Sequence, residues 1–133
     1  MRIVRLFRVT SLLAATLGAV LASAEPKGFK PTPLLRAPLS GDDSREAIVA
    51  TAQFAPGGTT GRHTHPGDEY GTLLEGTLEI LVEGEAPRQV HAGEAFHNAK
   101  GVIHESRNIG SGIARVVSTF VVAKGKPISE PAD

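Results

Sequence analysis

The 133-residue sequence contains no cysteine, and its one methionine is Met1. Without thiols the chain can form no disulfide, thiolate zinc site, iron–sulfur ligation, cysteine nucleophile or cysteine-linked lipid anchor. It also lacks an excess of either charge, because 14 Lys and Arg balance 14 Asp and Glu. Beyond residue 24 the count is 11 basic against 14 acidic side chains, so we expect no nucleic-acid partner.

Acidic residues are absent from the first 24 positions, where three arginines precede an uncharged, mostly apolar stretch over residues 9–21. The Ala-Ser-Ala sequence at residues 22–24 supplies a small-residue cleavage pattern. The apolar stretch is shorter than the roughly 20 residues that a membrane span needs. The pattern predicts a signal peptide over residues 1–24, cut after Ala24, and a periplasmic or secreted protein without membrane attachment after cleavage.

Helix-length windows are scarce after residue 24, because that part of the chain holds 14 Gly and all nine Pro. Only residues 42–55 and 113–124 run for more than ten positions without either. The second window is rich in valine and favours a buried strand, and the Ile-Val-Ala-Thr centre of the first favours a strand as well. The sequence therefore predicts an all-β domain.

Residues 77–83 alternate apolar and polar side chains, which is the period of a half-buried strand. Because Gly76 precedes this segment as a turn, we predict residues 70–75 as its hairpin partner. Strands separated by turns at spacings of about eight to twelve residues indicate a sandwich, barrel or jelly roll.

The two ends of the predicted domain differ from its centre. Four prolines in residues 25–39 predict an extended conformation, and such an arm can lie across a neighbouring subunit. The last residues are expected to be flexible. After the signal peptide, the predicted organisation is an extended arm (25–45), a β-barrel domain (46–124) and a flexible tail (125–133).

The five histidines supply the candidate metal ligands. They are His63, His65, His91, His97 and His104. On an extended strand, His63 and His65 would face the same side, roughly 6.5–7 Å apart along the backbone. Glu69 follows a Pro-Gly-Asp turn that can return its carboxylate to the same point, and His104 can add a further imidazole. Three imidazoles and one carboxylate suit manganese, iron, cobalt, nickel or zinc.

Two segments resemble the two signatures of the cupin superfamily. The first is GGTTGRHTHPGDEYGTLLEG, residues 57–76, with Gly57, His63, His65, Glu69 and Gly76 at the matching spacing. The second is GEAFHNAKGVIHESRN, residues 93–108, with Gly93, Gly101, His104 and Asn108 in place. The proline usual before the second glycine is Ala99 here, a departure that concerns turn stiffness rather than metal ligation. The resemblance covers about residues 48–122.

The resemblance implies a cupin-type jelly-roll β-barrel that holds one divalent transition metal through His63, His65, Glu69 and His104. Coordination positions open to water or substrate are what metal-based catalysis requires. Cupins include dioxygenases, isomerases, lyases and decarboxylases, and the fold and ligands do not choose among these reactions. We favour dioxygenase-like chemistry on a small organic molecule, similar to quercetinase-like cupins, with Glu69 also a candidate base. Cupins are often dimers, so a homodimer is compatible with the resemblance.

Two alternatives from other functional classes stay open. One is a non-catalytic module that binds or senses a small ligand, and the other is a protein whose cargo is the metal itself. The lack of soft ligands disfavours the cargo alternative. Hydrophobic side chains without polar groups are expected to form the wall of an apolar pocket. The candidates are Phe54, Leu73, Phe96, Ile103 and Phe120.

Outside the ligand set, His91 is expected at the surface. His97 shares no strand face with Phe96 and Asn98. A role for His97 beside the pocket as an acid–base group is the less favoured alternative, since such a role needs a partner. Tyr70, which adjoins Glu69, is expected on the other strand face as a packing residue.

Overall fold

The computed structural model describes residues 26–133, so the predicted signal peptide of residues 1–24 lies outside the described part of the chain. Within residues 26–133 the chain forms strands and no helix, and hence no helical membrane span. The all-β prediction is confirmed. The strands are β1 (Lys27–Leu39), β2 (Asp42–Thr59), β3 (His63–Thr64), β4 (Gly67–Glu75), β5 (Thr77–Val82), β6 (Arg88–His91), β7 (Ala95–Asn98), β8 (His104–Asn108), β9 (Ala114–Ala123) and β10 (Glu130–Pro131).

The strands form one antiparallel sheet that wraps into a nearly closed barrel. One half has the order β1-β2-β9-β4-β7. The other half has the order β6-β5-β8-β3-β10. The halves join where Thr59 of β2 pairs with Arg107 of β8. This is the jelly-roll type of architecture that the sequence predicts.

Alternating burial along the long strands defines the inner face of the barrel. On β9, Ala114, Val116, Ser118, Phe120 and Val122 are buried, while the residues between them are partly or fully exposed. The two-residue period arises because successive strand side chains point to opposite faces. Ser118 is the one polar side chain in this inward row of β9, and it contributes to the site described below.

The apolar core consists of two clusters. The first contains Phe54, Leu73, Leu78, Ile80, Val90, Phe96, Ala114 and Val116. The second contains Ile48, Ala50, Phe120 and Val122. Ile128, from the C-terminal segment of residues 125–133, packs against this second cluster. Full burial of each large side chain contributes about 1.5–3 kcal/mol to stability.

The predicted hairpin between residues 70–75 and 77–83 is wrong. β4 pairs with β7 and β9, whereas β5 pairs with β6 and β8. A single glycine separates β4 from β5, and common hairpins need a loop of about two residues or more. Gly76 has a positive φ of 85°, and a Cβ there would lie 2.8 Å from the Cα of Ala114. Glycine therefore allows the chain to pass from one half of the barrel to the other.

The two ends of the described chain both pack on the barrel. β1 is extended, as its prolines predict, and pairs with β2 of the same chain. The sequence predicts a flexible tail over residues 125–133, whereas the structure pairs β10 with β3. The amide of Ala132 also donates to the carbonyl of Arg62 at 3.0 Å. Backbone pairing over two residues produces no side-chain periodicity, so the sequence carries no signal for this contact.

Candidate metal centre

Three of the predicted ligands, His63, His65 and His104, come together in the structure. His63 lies on β3, His65 directly follows that strand, and His104 begins β8 in register with His63. One ring nitrogen from each histidine lies within 4.8 Å of the other two. His65 and His104 are buried, and His63 is partly buried.

Backbone carbonyls fix the orientation of all three imidazoles. The Nδ1 donors and their acceptors are His63 to Gly61 (3.0 Å), His65 to Ile128 (2.7 Å) and His104 to Val102 (3.0 Å). A carbonyl oxygen can only accept, so each Nδ1 carries a proton and each neutral ring keeps a lone pair on Nε2. An imidazole anchored in this way presents Nε2 to a metal.

The Nε2 atoms of His65 and His104 are buried and have no hydrogen-bond partner within residues 26–133. They lie 3.3 and 3.6 Å from Oε2 of Glu69, without hydrogen-bond geometry. A buried polar atom without a partner costs about 1–3 kcal/mol, so two such atoms at one point require an explanation. A metal ion would satisfy both, and a set of imidazole and carboxylate donors fits a divalent transition metal.

Glu69 is oriented by side chains from the two strands that flank it. Its strand, β4, lies between β7 and β9. Asn98 of β7 donates to Oε2 at 2.7 Å, and Ser118 of β9 donates to Oε1 at 2.8 Å. These bonds hold the carboxylate beside His65 and His104.

Asn98 and Ser118 are site residues that the sequence analysis missed. Strand parity could have identified both of them. Ser118 interrupts a row of inward apolar residues on β9, and Asn98 lies two residues after the buried Phe96. A polar residue at an inward position needs a buried partner, and Glu69 is that partner here.

Burial and nearby charges determine the protonation of the cluster. Burial, followed by repulsion from His104, lowers the pKa of His63 to about 4. Burial raises the pKa of Glu69, but the polar groups around its carboxylate, among them the donating amide of Asn98, outweigh that effect and hold this pKa well below its usual range. At neutral pH, His63 is therefore neutral and Glu69 is ionised, which are the forms that ligate a metal.

A cavity of about 200 Å³ opens beside the cluster, and His63, His65 and Glu69 line one part of it. Most of the remaining wall is apolar and comes from both core clusters, from β1 and from the C-terminal segment. Of the predicted wall residues, Phe54, Phe96 and Phe120 line the cavity. The prediction is wrong for Leu73, which is wholly buried in the first core cluster, and for Ile103, which lines a smaller, separate pocket.

His97 lies away from the cavity and is exposed. Its Nε2 lies 3.1 Å from Oδ1 of Asp68, and its ring stacks on Tyr70 with the ring centroids 4.9 Å apart. His97 therefore does not line this cavity, contrary to the less favoured alternative of a role beside the pocket. His91 is also exposed, as predicted.

Residues 50–121 match the family model described as "Cupin domain". The chain belongs to the cupin family. This cupin is 30% identical over 117 residues to oxalate oxidase 2 of Hordeum vulgare, a match that covers 82% of this chain and 52% of the relative. It is 34% identical over 80 residues to the HTH-type transcriptional regulator PuuR of Escherichia coli (strain K12), covering 59% of this chain and 43% of the relative. The chain thus spans about half the length of the curated relatives that it matches.

Solved structures agree with this family assignment. A recombinant oxalate oxidase in complex with glycolate superposes with a TM-score of 0.63 at 26% identity, covering 81% of this cupin and 57% of that chain. A cupin domain from Bordetella pertussis Tohama I superposes with a TM-score of 0.57 at 27% identity, covering 75% of this cupin and 98% of that chain. The predicted cupin fold is confirmed.

Proposed function

We propose that this cupin binds one divalent transition metal through Nε2 of His63, His65 and His104 and a carboxylate oxygen of Glu69. The observation that carries the proposal is the pair of buried Nε2 atoms without partners, in rings whose Nδ1 atoms are anchored to carbonyls. The bound metal would supply a Lewis acid with positions open to an oxygen donor. Manganese, iron, cobalt, nickel and zinc all suit this donor set.

The proposed activity is dioxygenase-like chemistry on a small organic molecule that binds the metal through oxygen. The similarity to oxalate oxidase, by sequence and by structure, supports oxidative chemistry at a metal in this fold. The adjoining cavity gives space for an organic ligand next to the proposed ligands. Its mostly apolar wall would reduce the contact of a bound ligand with water, and this would strengthen electrostatic interactions in the site.

Glu69 is better suited to holding the metal than to taking a proton from a substrate. Its environment lowers the pKa of its carboxyl group, and a carboxylate with a low pKa is a weak base. Asn98 and Ser118, which donate to its two oxygens, orient it toward the imidazoles. We therefore assign Glu69 as the fourth ligand, and its action as a base stays a prediction.

A non-catalytic module that binds or senses a small ligand is the second candidate. It is supported by the 34% identity to a segment of the transcriptional regulator PuuR. The same metal centre would then hold a ligand without converting it. The two candidates differ in one measurable property: only the dioxygenase would convert the ligand that it binds.

The test loads the metal-free protein separately with Mn²⁺, Fe²⁺, Co²⁺ and Ni²⁺ and follows oxygen uptake with a panel of small organic acids and phenols. The dioxygenase proposal predicts metal-dependent uptake by the wild type and by His91→Ala, a matched control at an exposed histidine, and none by His104→Ala. Ligand binding without oxygen uptake for any metal would favour the binding module instead.

A further inference from the structure

The cavity beside the proposed metal centre has no lysine, arginine, asparagine or glutamine in its wall, as far as residues 26–133 form it. Besides His63, His65 and Glu69, its polar residues carry only hydroxyl groups. They are Thr51, Thr60, Ser106, Ser118 and Ser129. A carboxylate placed in this cavity away from the metal would find no cationic partner, and burying an unpaired charge is costly.

The charge of the proposed centre matches one anionic donor. A divalent ion held by three neutral imidazoles and the Glu69 carboxylate keeps a net single positive charge. One monoanionic oxygen donor neutralises that charge. A dicarboxylate brings a second negative charge, and the hydroxyl-bearing and apolar wall offers no counter-charge for it.

The volume of the cavity indicates the size of the group that it can enclose. An apolar cavity of about 150 Å³ holds one benzene molecule. The cavity of about 200 Å³ therefore encloses a single ring with a short substituent. Phe29, Phe54, Phe96 and Phe120 line it, and phenyl rings pack well against an aromatic or aliphatic body.

We propose that the ligand of this cupin is a monoanion with one oxygen-donor head and an apolar body of about one substituted ring. This inference rests on the proposed metal centre and adds the substrate class. The head faces His63, His65 and Glu69, and the body contacts the phenylalanines. Oxalate is a poor ligand for this site.

The test compares benzohydroxamate with acetohydroxamate, which share a metal-binding head and differ in the apolar body. Calorimetric titration of the Ni²⁺-loaded full chain should give at least tenfold tighter binding for benzohydroxamate, and weaker binding for oxalate. Metal content is measured before and after each titration, so that extraction of the metal is not counted as binding. Equal affinity for the two hydroxamates, or oxalate binding as tight as benzohydroxamate, would overturn the proposal.

Ala52→Phe narrows the cavity without changing a proposed ligand, because Ala52 lies in the apolar wall. We expect it to abolish the preference for benzohydroxamate while metal content is retained. The matched control is Ala86→Phe, at an exposed position, which should keep the preference. An unchanged preference in folded Ala52→Phe would count against the proposed location of the ligand body.

Phenol binding to the metal-free full chain, followed by ligand-observed NMR, separates this inference from the metal proposal. If the protein cannot be loaded with metal but its metal-free form binds phenol, the metal centre is refuted and the apolar ligand class is supported. A chain that holds metal but shows no phenol or benzohydroxamate binding would support the centre and overturn the ligand class.

Discussion

The Nδ1 atom of His65 lies 2.7 Å from the carbonyl oxygen of Ile128, a residue 63 positions further along the chain. The carbonyl belongs to a C-terminal segment that also packs the Ile128 side chain against the second core cluster and pairs β10 with β3. A tail contact thus sets the tautomer and orientation of one proposed ligand. We infer that the proposed metal centre is complete only when this segment packs on the barrel.

Removal of residues 127–133 should weaken metal binding about 10–100-fold, because His65 loses the acceptor that orients it. The measurement is a competitive Co²⁺ titration of the truncated and full-length proteins, with circular dichroism to verify folding. Lys126→Ala, which changes an exposed side chain in the same segment, is the control and should bind like the wild type. Full affinity in a folded truncated protein would show that the Ile128 carbonyl does not support the centre.

Asn98→Ala and Ser118→Ala should each lower metal affinity by about tenfold or more, since each removes a hydrogen bond that orients the Glu69 carboxylate. The same titration measures the effect. His97 lies on the same strand as Asn98, but its side chain is exposed. The His97→Ala variant should therefore bind metal with the affinity of the wild type. If Asn98→Ala and His97→Ala bind metal equally well, Asn98 has no role in positioning Glu69.

The metal-free protein should lose stability in acid. The pKa of His63 falls from 6.5 to about 4 on folding, so the unfolded chain binds more protons between those pH values. The free energy of unfolding therefore rises with pH across that window. Glu69 acts in the same direction at lower pH: its lowered pKa gives a contribution that is present above its unfolded value of 4.5 and is lost below it.

Urea unfolding at pH 7 and pH 4.5 measures this dependence. For His63 alone we expect a loss of about 2 kcal/mol at the lower pH. His63→Gln should have a flatter profile than the wild type, whereas His91→Gln, at an exposed position, should keep the wild-type slope. An equally steep profile for His63→Gln would show that His63 is not the titrating group.

Gly67 lies two residues before Glu69, where β4 approaches β9. A Cβ added there would be 1.8 Å from the carbonyl oxygen of Val121. Gly67→Ala should therefore cost about 3 kcal/mol or more in unfolding free energy, because the backbones must separate. A Cβ added at Gly112 has no atom within 4 Å. Gly112→Ala should therefore change the free energy of unfolding by about 0.5 kcal/mol or less. Similar urea midpoints for the two variants would contradict the close approach.

Features with a local pattern could be predicted from the sequence. The alternation in residues 77–83 predicts β5, and the resemblance of the His-x-His spacing to cupins predicts the cluster of three histidines that the structure brings together. The four-residue ligand set stays a prediction. Asn98 and Ser118 were accessible in principle through strand parity. The signal peptide and the homodimer stay predictions.

Features that depend on long-range backbone geometry could not be predicted. The partners of β4 and β5 follow from the closure of the whole barrel, which the single Gly76 between them does not specify. The contact with the Ile128 carbonyl could not be predicted either. Every residue has a carbonyl, and no residue type marks the one that accepts from His65.

The most direct test of the proposed metal centre is elemental analysis of the wild-type protein, expressed from the full sequence and purified without chelator, beside His104→Ala and His91→Ala. We predict about one transition-metal ion per chain in the wild type and in His91→Ala, and loss of that metal in His104→Ala. Equal metal content in the two variants, or no metal in any of the proteins even after reconstitution, would contradict the assignment of His63, His65, Glu69 and His104 as ligands.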